Sequence, residues 1–338
     1  MRRSIAFVMC LGLSTMFAGG VRAMPPTHGH ESTSSSAMIR FQRDLVNVLA
    51  LRSEAEPLLG AALLARTLPN PPDYVSFHAL IQRAAKAPDA GPGIAWAQLV
   101  DCDAEADACP DAGALAKLKK QAADNAAVWL MVLGQAMRNG DEDAAHAALA
   151  KAAEASRYDD YAGVSLAALA KAAAALPPST DLYGKQGAAN SAAGIRALLV
   201  FGLSNFQPLP GFQATARLCQ DSKNDKPLRQ QCLALAEILA WASSPLARSL
   251  GLHLQQTLSD DADLRHQARA ARHDLVWQVH NFGKLTLASQ HRPDVAKTLL
   301  DLARNGGTRM SLILAALRAE HIPVDAPAGW EPRRKQAR

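Results

Sequence analysis

Residues 125–153 read NAAVWLMVLGQAMRNGDEDAAHAALAKAA, and this stretch predicts the fold of the chain. Each half carries apolar or small side chains at helical spacing on one face: Leu130, Leu133 and Met137 in the first half, and Ala145, Leu149 and Ala152 in the second. Gly140 and Asp141 stand between the halves, where a turn is expected. The stretch therefore predicts two antiparallel helices that pack closely through small residues.

The same alternation of helical stretches and breakers runs from residue 37 to residue 320. Alanine and leucine recur at helical intervals, and blocks of alternating β-branched residues, which are typical of strands, are missing. Short loops that contain proline or glycine indicate antiparallel neighbours. The sequence predicts an all-α fold, an irregular array of antiparallel helix hairpins, with helices near residues 37–52, 54–67, 73–86, 92–101, 111–122, 125–139, 141–155, 159–176, 189–205, 211–221, 227–242, 245–258, 260–289, 292–304 and 308–320.

The order of small and large residues in the hairpin matches that of a known helical repeat. The matching residues are the Leu133-Gly134 pair, Met137 at the aromatic position, the Gly140-Asp141 turn, and the small-large-small set Ala145, Leu149 and Ala152. In this order the stretch 125–157 resembles a tetratricopeptide repeat (TPR) and its Sel1-like relatives, although the turn is one residue shorter and Arg157 replaces the closing proline. The resemblance implies a TPR-like α-solenoid over residues 37–322, with a possible subdivision near residues 177–188.

In such repeat families the concave surface binds peptides or partner proteins. The groove-facing positions of the first helix correspond to Val128, Met131, Gln135, Arg138 and Asn139. The resemblance therefore implies that Met131, Gln135, Arg138 and Asn139 are candidate partner-binding residues. An alternative interpretation places Gln135 and Arg138 in solvent and Met131 in the core of a neighbouring hairpin.

The N-terminus has the pattern of a secretory signal peptide over residues 1–23. A basic start at Arg2 and Arg3 precedes an apolar run, and small residues at Val21 and Ala23 fit a cleavage site. The apolar run is about 13 residues, shorter than the roughly 20 that span a bilayer. We therefore expect a periplasmic or secreted protein without a transmembrane span after cleavage, which begins with a flexible leader over residues 24–36.

Charge argues against a nucleic-acid partner. The formal net charge is +5, but the signal peptide holds three of the positive side chains, so that the mature chain carries +2. Four more lie among the last six residues, in a predicted basic and flexible tail over residues 323–338. No basic stripe remains on the body of the protein, as a nucleic-acid binder would need.

Four cysteines remain after cleavage of the signal peptide, and an oxidising compartment favours their pairing. Three pairings are possible. Short spacing favours the local ones, Cys102 with Cys109 and Cys219 with Cys232, and each bond would contribute about 2 to 4 kcal/mol. A Cys-x-x-Cys redox motif is absent, so structural disulfides are expected.

Acidic residues occupy alternate positions just before and within the first cysteine pair: Asp101, Asp103, Glu105 and Asp107. This spacing is that of the start of an EF-hand calcium loop, but Ala106 and Ala112 stand where the loop needs its turn glycine and its bidentate glutamate. A disulfide-closed acidic loop is therefore expected, with calcium binding left as the alternative.

Two further patterns invite chemical interpretations. His266, His273 and His280 recur every seven residues on one helix, about 10.5 Å apart, so they cannot share one metal ion; we expect them to border a helix seam with Trp277. The stretch SRYDDYAG, residues 156–163, predicts Asp159 or Asp160 as a helix N-cap, with an aromatic and acidic ligand-binding cluster as the alternative.

Catalytic motifs are missing from the sequence. The sequence lacks the Gly-x-Ser-x-Gly, Ser-x-x-Lys and His-Glu-x-x-His patterns, and it also lacks a phosphate-binding glycine-rich loop with lysine. We therefore expect no cofactor. The sequence favours an exported helical scaffold that binds a protein or peptide partner in the cell envelope. The alternative is an envelope enzyme or accessory factor that acts on peptidoglycan, an analogy of architecture with helical superhelices.

Overall fold

The computed structural model describes residues 31–102, 109–182, 191–204 and 207–331. Within these ranges the protein is all-α, as predicted, and it has no β-strand. A helix lies in each of the fifteen predicted places. The helices are α1 (Glu31–Leu49), α2 (Ala55–Ala65), α3 (Phe77–Lys86), α4 (Pro92–Gln98), α5 (Ala112–Gln121), α6 (Ala126–Arg138), α7 (Glu142–Ala153), α8 (Ala162–Ala172), α9 (Ala192–Leu203), α10 (Phe212–Gln220), α11 (Lys226–Ala240), α12 (Pro245–Leu258), α13 (Ala262–Ala288), α14 (Pro293–Arg304) and α15 (Arg309–Ala319).

The hairpin of α6 and α7 forms where the sequence predicts it. The side chain of Asn125 accepts a hydrogen bond from the amide of Ala127, and that of Asp141 caps α7 by accepting from Ala144. Gly140 makes the turn with a φ of 70°, a conformation that favours glycine. The apolar faces meet as expected, with Leu130, Leu133 and Leu149 fully buried.

A short extended segment closes this hairpin where the repeat family has a proline. The carbonyl of Arg157 accepts a hydrogen bond of 2.8 Å from the amide of Ala126. The buried amide group of Asn125 exchanges two hydrogen bonds with the backbone of Asp159. The guanidinium of Arg157 forms an ion pair of 2.9 Å with Asp124. These contacts hold the end of α7 and the start of α6 side by side.

Two hydrophobic cores organise the helices. The first core joins α1, α2 and α3 with α8, α9, α13, α14 and α15, and the second joins α5, α6 and α7 with α10, α11 and α12. Helices far apart in sequence therefore pack together, for example α2 with α8 and α9 with α14. In a solenoid each repeat contacts its sequence neighbours, so these packings are additional to that pattern. The solenoid and the TPR resemblance stay predictions.

Both local cysteine pairs lie at disulfide distance, as predicted. Cys102 and Cys109 have Cα atoms 5.2 Å apart and connect the two sides of the α4–α5 loop. Cys219 and Cys232 have Cα atoms 5.7 Å apart and link the last turn of α10 to α11. The second disulfide is fully buried and belongs to the second core.

The N-terminal boundary differs from the prediction. The signal peptide over residues 1–23 and the first part of the leader lie outside the described residues. Helix α1 begins at Glu31, so residues 31–36 are helical and not part of a flexible leader. Within the described ranges no helix is long and apolar enough to cross a membrane.

The C-terminal boundary is also corrected. Residues 323–331, the C-terminal strap, were predicted as flexible tail but cross α13 through specific hydrogen bonds. These bonds run from Trp277 Nε1 to the Pro323 carbonyl (2.8 Å), from Gln278 Nε2 to the Val324 carbonyl (3.0 Å), and from the Ala326 amide to Asp274 Oδ1 (2.9 Å). Residues 332–338, which hold the basic side chains of the tail, lie outside the described residues.

The strap contacts two of the three regularly spaced histidines. The ring of Trp330 lies against His273, Trp277 and His280, with centroids 5.2, 5.1 and 6.0 Å away. His273 Nε2 also forms a hydrogen bond of 2.7 Å with the Trp330 carbonyl. The predicted seam that includes Trp277 is therefore present, whereas His266 is exposed and outside it.

Candidate functional site

The predicted groove on α6 is largely closed. Val128 is fully buried and Met131 is only 8% exposed, so the expectation that Met131 lines an open groove is wrong. The physical reason is a second backbone that crosses α6. The amide of Gly211, just before α10, donates to the Leu130 carbonyl at 3.0 Å, and a Cβ at Gly134 would lie 2.9 Å from Gly211 Cα. The close approach that Gly134 permits covers this face.

The other candidate partner-binding residues remain accessible. Gln135 is half-buried, and Arg138 and Asn139 are exposed at the end of α6. Arg138 donates to the Cys109 carbonyl at 3.3 Å, so it connects α6 to the disulfide loop. Their role in binding a partner stays a prediction.

The acidic loop offers no described metal site. Asp103, Glu105 and Asp107 lie outside the described residues, and calcium binding there stays a hypothesis. Asp101 accepts hydrogen bonds of 3.0 Å from His78 and Gln82, which tie it to α3. Among the described residues, no group of three or more histidine, cysteine or acidic side chains could hold a metal ion.

Three loops meet where α8, α12 and α15 begin, and we call this region the junction. Ser243 lies at its centre. Its amide donates to the Tyr158 carbonyl (3.3 Å), its carbonyl accepts from Met310 (2.9 Å), and its hydroxyl contacts the amide and carboxylate of Asp160. The start of α8 also approaches the turn before α15 so closely that a Cβ at Gly163 would collide with the Gly307 carbonyl.

The capping of α8 differs from the prediction by one or two residues. Tyr161, with a φ of 50°, occupies the N-cap position, so neither Asp159 nor Asp160 is the N-cap residue. Their carboxylates nonetheless bind the adjacent amides, since Asp159 accepts from Tyr161 (2.9 Å) and Asp160 from Ala162 (3.3 Å). The two acids therefore order the loop that enters the junction.

A cleft of about 290 Å³ opens beside these loops, and we call it the junction cleft. Its mouth carries three exposed apolar side chains, Leu209, Leu246 and Val279, of which Leu209 is 70% exposed. Phe212 and Phe282 line it from the second and first core respectively. Its polar side chains are Asp160, Gln207, Ser244 and Arg309.

Buried polar atoms at the junction lack hydrogen-bond partners among the described residues. By hydrogen-bond geometry these atoms are Ser244 Oγ, Gln207 Nε2 and Tyr158 Oη, although the Ser244 hydroxyl lies near enough to Tyr158 and Asp160 to lower the pKa of both. Gln207 uses its other polar atom to accept from Ser165 at 3.1 Å. An unsatisfied buried polar group costs about 1 to 3 kcal/mol, so a ligand that completed these hydrogen bonds would gain affinity. Ser244 and Gln207 line the cleft directly.

Opposite charges lie together in this cleft. Burial raises the pKa of Asp160, against the opposing effect of nearby serine hydroxyls and the Ala162 amide. Burial lowers the pKa of Arg309, and the charge of Asp160 partly opposes that change. Burial, together with the charge of Asp160, raises the pKa of Tyr158 well above its ordinary value. The cleft can thus offer an acceptor, a cationic donor and neutral donors to one ligand.

Sequence reasoning identified one part of this site and missed the others. The SRYDDYAG stretch drew attention to Asp160 as a member of a ligand-binding alternative. Gln207, Ser244 and Arg309 were not singled out, because no motif connects them. Each lies within two residues of a helix breaker, namely Pro208, Pro245 or the Gly306-Gly307 pair, and such loops are where binding residues concentrate.

Comparisons of the chain with protein-family models, with curated proteins and with solved structures returned no match. No activity or ligand is therefore transferred from a relative. The chemistry of the described clefts alone supports the functional proposals.

Proposed function

We propose that this chain is an exported helical binding protein that holds a segment of a protein or peptide partner in the junction cleft. The observation that carries the proposal is the combination of a buried amide, Gln207 Nε2, that has no partner within the described ranges, the adjacent Ser244 hydroxyl, and an exposed apolar rim. Ligand sites in proteins are mostly apolar with a few placed polar groups, and the cleft has this character.

A peptide segment fits the chemistry of the cleft in two ways. Its backbone carbonyls would accept hydrogen bonds from Gln207 Nε2, which has no partner among the described residues, and from the nearby Ser244 hydroxyl. An apolar side chain of the peptide would lie between Phe212 and Phe282, with Leu209 and Leu246 covering the adjoining residues. Both interactions would favour binding, the first by completing hydrogen bonds and the second by burying apolar surface.

A periplasmic or secreted location is part of the same proposal. The two cysteine pairs at disulfide distance are compatible with a protein outside the cytoplasm, where such bonds persist. The signal-peptide pattern of residues 1–23 supports it further. N-terminal sequencing of the protein from a periplasmic or culture-medium fraction should find a start at Met24.

An envelope enzyme remains the second candidate, and one observation favours it. Asp160 is a buried acid with a raised pKa in a cleft, a setting typical of proton donors in catalysis. An enzyme that acts on peptidoglycan would release soluble fragments from insoluble sacculi. A binding protein would be retained on its partner without such release.

Peptide binding can be measured by fluorescence anisotropy with a pool of labelled heptapeptides that carry a central leucine, isoleucine or phenylalanine. The variant Leu209→Asp/Leu246→Asp should weaken binding at least tenfold, because it places charge at the apolar rim. The matched control is Leu287→Asp, which changes another exposed leucine that does not line the cleft. Equal binding by both variants would contradict the proposal.

A further inference from the structure

A second cleft, of about 370 Å³, lies between the turn after α11, helix α12 and the first half of α13, and we call it the α13 cleft. It shares no lining residue with the junction cleft. Its side chains include one indole, three primary amides and two opposite charges: Trp241, Gln255, Gln267, Gln278, Arg248 and Asp274.

The position of Trp241 sets this cleft apart. All five tryptophans of the chain are described, and Trp241 alone is largely exposed, at 82%. It lies at the C-terminal end of α11, where the chain turns into α12. When a ligand covers a large aromatic ring that is exposed to water, the free energy falls, because apolar surface is removed from water. Trp241 therefore offers a flat apolar face at the rim of a polar cleft.

Three of the polar side chains are held in place by hydrogen bonds to the backbone. Arg248 Nε donates to the Ala242 carbonyl at 2.8 Å. Asp274 and Gln278 each use one polar atom to bind the C-terminal strap, through the Ala326 amide and the Val324 carbonyl. Their second polar atoms, Oδ2 and Oε1, form no hydrogen bond with the described residues, so each can bind a ligand.

We infer that the α13 cleft binds an uncharged saccharide. A sugar ring has an apolar face of C–H groups, which would stack on Trp241, and a rim of hydroxyls that both donate and accept hydrogen bonds. The amides of Gln255, Gln267 and Gln278 also donate and accept, and therefore complement that rim. Arg248 and Asp274 carry opposite charges, which favours a neutral ligand over an ionic one. This inference does not rest on the peptide-binding proposal.

The test titrates the whole protein with three probes: the trimer of N-acetylglucosamine, maltotriose, and indole as an apolar ligand. Intrinsic tryptophan fluorescence and isothermal titration calorimetry would follow binding. We expect saturable binding of at least one saccharide with a blue shift of the emission, since the ring of Trp241 leaves water. Trp241→Ala should weaken that binding at least tenfold, and Gln267→Ala several-fold.

Controls separate this site from the junction cleft. Leu209→Asp/Leu246→Asp should retain full saccharide binding, whereas Trp241→Ala should retain peptide binding. Trp241 and Gln267 are both exposed, so unchanged melting temperatures would verify folding. Failure of both saccharides to bind, binding that Trp241→Ala leaves unchanged, or binding of indole alone would each overturn the inference.

Discussion

The α6–α7 hairpin and the junction differ in how completely they use their polar groups. Within the hairpin, residues 126–153, no buried side-chain nitrogen or oxygen lacks a partner. Five such atoms lack one across the described residues, and three of them belong to the junction. The hairpin is built from one regular pattern, whereas the junction is built from loop residues far apart in sequence.

This difference shows where a compact helical protein keeps its capacity to bind. Helices that pack along regular apolar faces satisfy their own backbones and cover each other's side chains. Loops that end helices bring polar groups together without such a pattern, and a rigid surrounding core holds them there. The hairpin therefore supplies stability, while the junction retains unsatisfied hydrogen-bonding groups.

The largest effect is expected from a cavity in the hairpin. Leu133→Ala removes a fully buried side chain and should lower the free energy of unfolding by about 2 to 5 kcal/mol, as for similar core truncations. Chemical denaturation would measure it. Peptide and saccharide affinities should stay unchanged well below the melting temperature, because neither cleft contains Leu133. A loss of affinity in the folded variant would show that the hairpin contributes to binding as well as to stability.

A smaller loss of stability is expected at the junction itself. Gly163→Ala places a Cβ against the Gly307 carbonyl and should cost about 1 to 3 kcal/mol, since backbone has to move. The matched control is Gly202→Ala in α9, where a Cβ would meet no atom within 4 Å. That control should leave the stability unchanged or raise it by up to about 0.5 kcal/mol, because Gly202 lies in the last turn of α9, where the helix propensity of alanine counts less. Equal melting temperatures for the two variants would disprove the close approach.

The pH dependence of stability, which Asp160 gives to the junction and not to the hairpin, is expected to be a smaller effect. Because the pKa of Asp160 is raised in the folded protein, the protonated acid is favoured by folding. Its contribution to stability is present below the unfolded pKa of about 4 and is lost as the pH rises through the folded pKa. Relative to Asp160→Asn, the wild-type protein should therefore lose stability between pH 4 and neutral pH. A difference in melting temperature that does not vary with pH would contradict this expectation.

The smallest effect is expected on the exposed end of α6. Gln135→Ala/Arg138→Ala should change the free energy of unfolding by no more than about 0.5 kcal/mol. Met131→Ala, one turn earlier and buried, should cost about 2 kcal/mol or more. If Gln135→Ala/Arg138→Ala also abolishes peptide binding, measured by fluorescence anisotropy, while Leu209→Asp/Leu246→Asp retains it, the binding surface is on α6 and not at the junction.

Sequence periodicity predicted the helices because it is a local property. The burial of Leu130 and Leu149 follows from spacing within their own helices. Met131 lies on the same helix, beside Leu130 and Gly134, where the chain near Gly211 crosses α6 some 80 residues later, and no pattern near Met131 encodes that crossing. Residues 323–331 look like a tail for the same reason, since their partners lie on α13.

The candidate site was less accessible to sequence reasoning than the fold. Asp160 was noticed because aromatic and acidic residues cluster within four positions of the chain. Ser244 and Arg309 act with it only after the loops before α12 and α15 meet the loop before α8. Such groups of neighbouring residues arise from tertiary packing, so the composition of the sequence and the spacing of its residues do not predict them.

The C-terminal strap has a consequence for the order in which the chain matures. A polypeptide leaves the ribosome from its N-terminus onward. Trp277 of α13 emerges 46 residues before Pro323, and His273 emerges 57 residues before Trp330. During that interval the aromatic face of α13 lacks the strap that covers it in the folded protein. Completion of the fold is thus delayed until the strap has emerged.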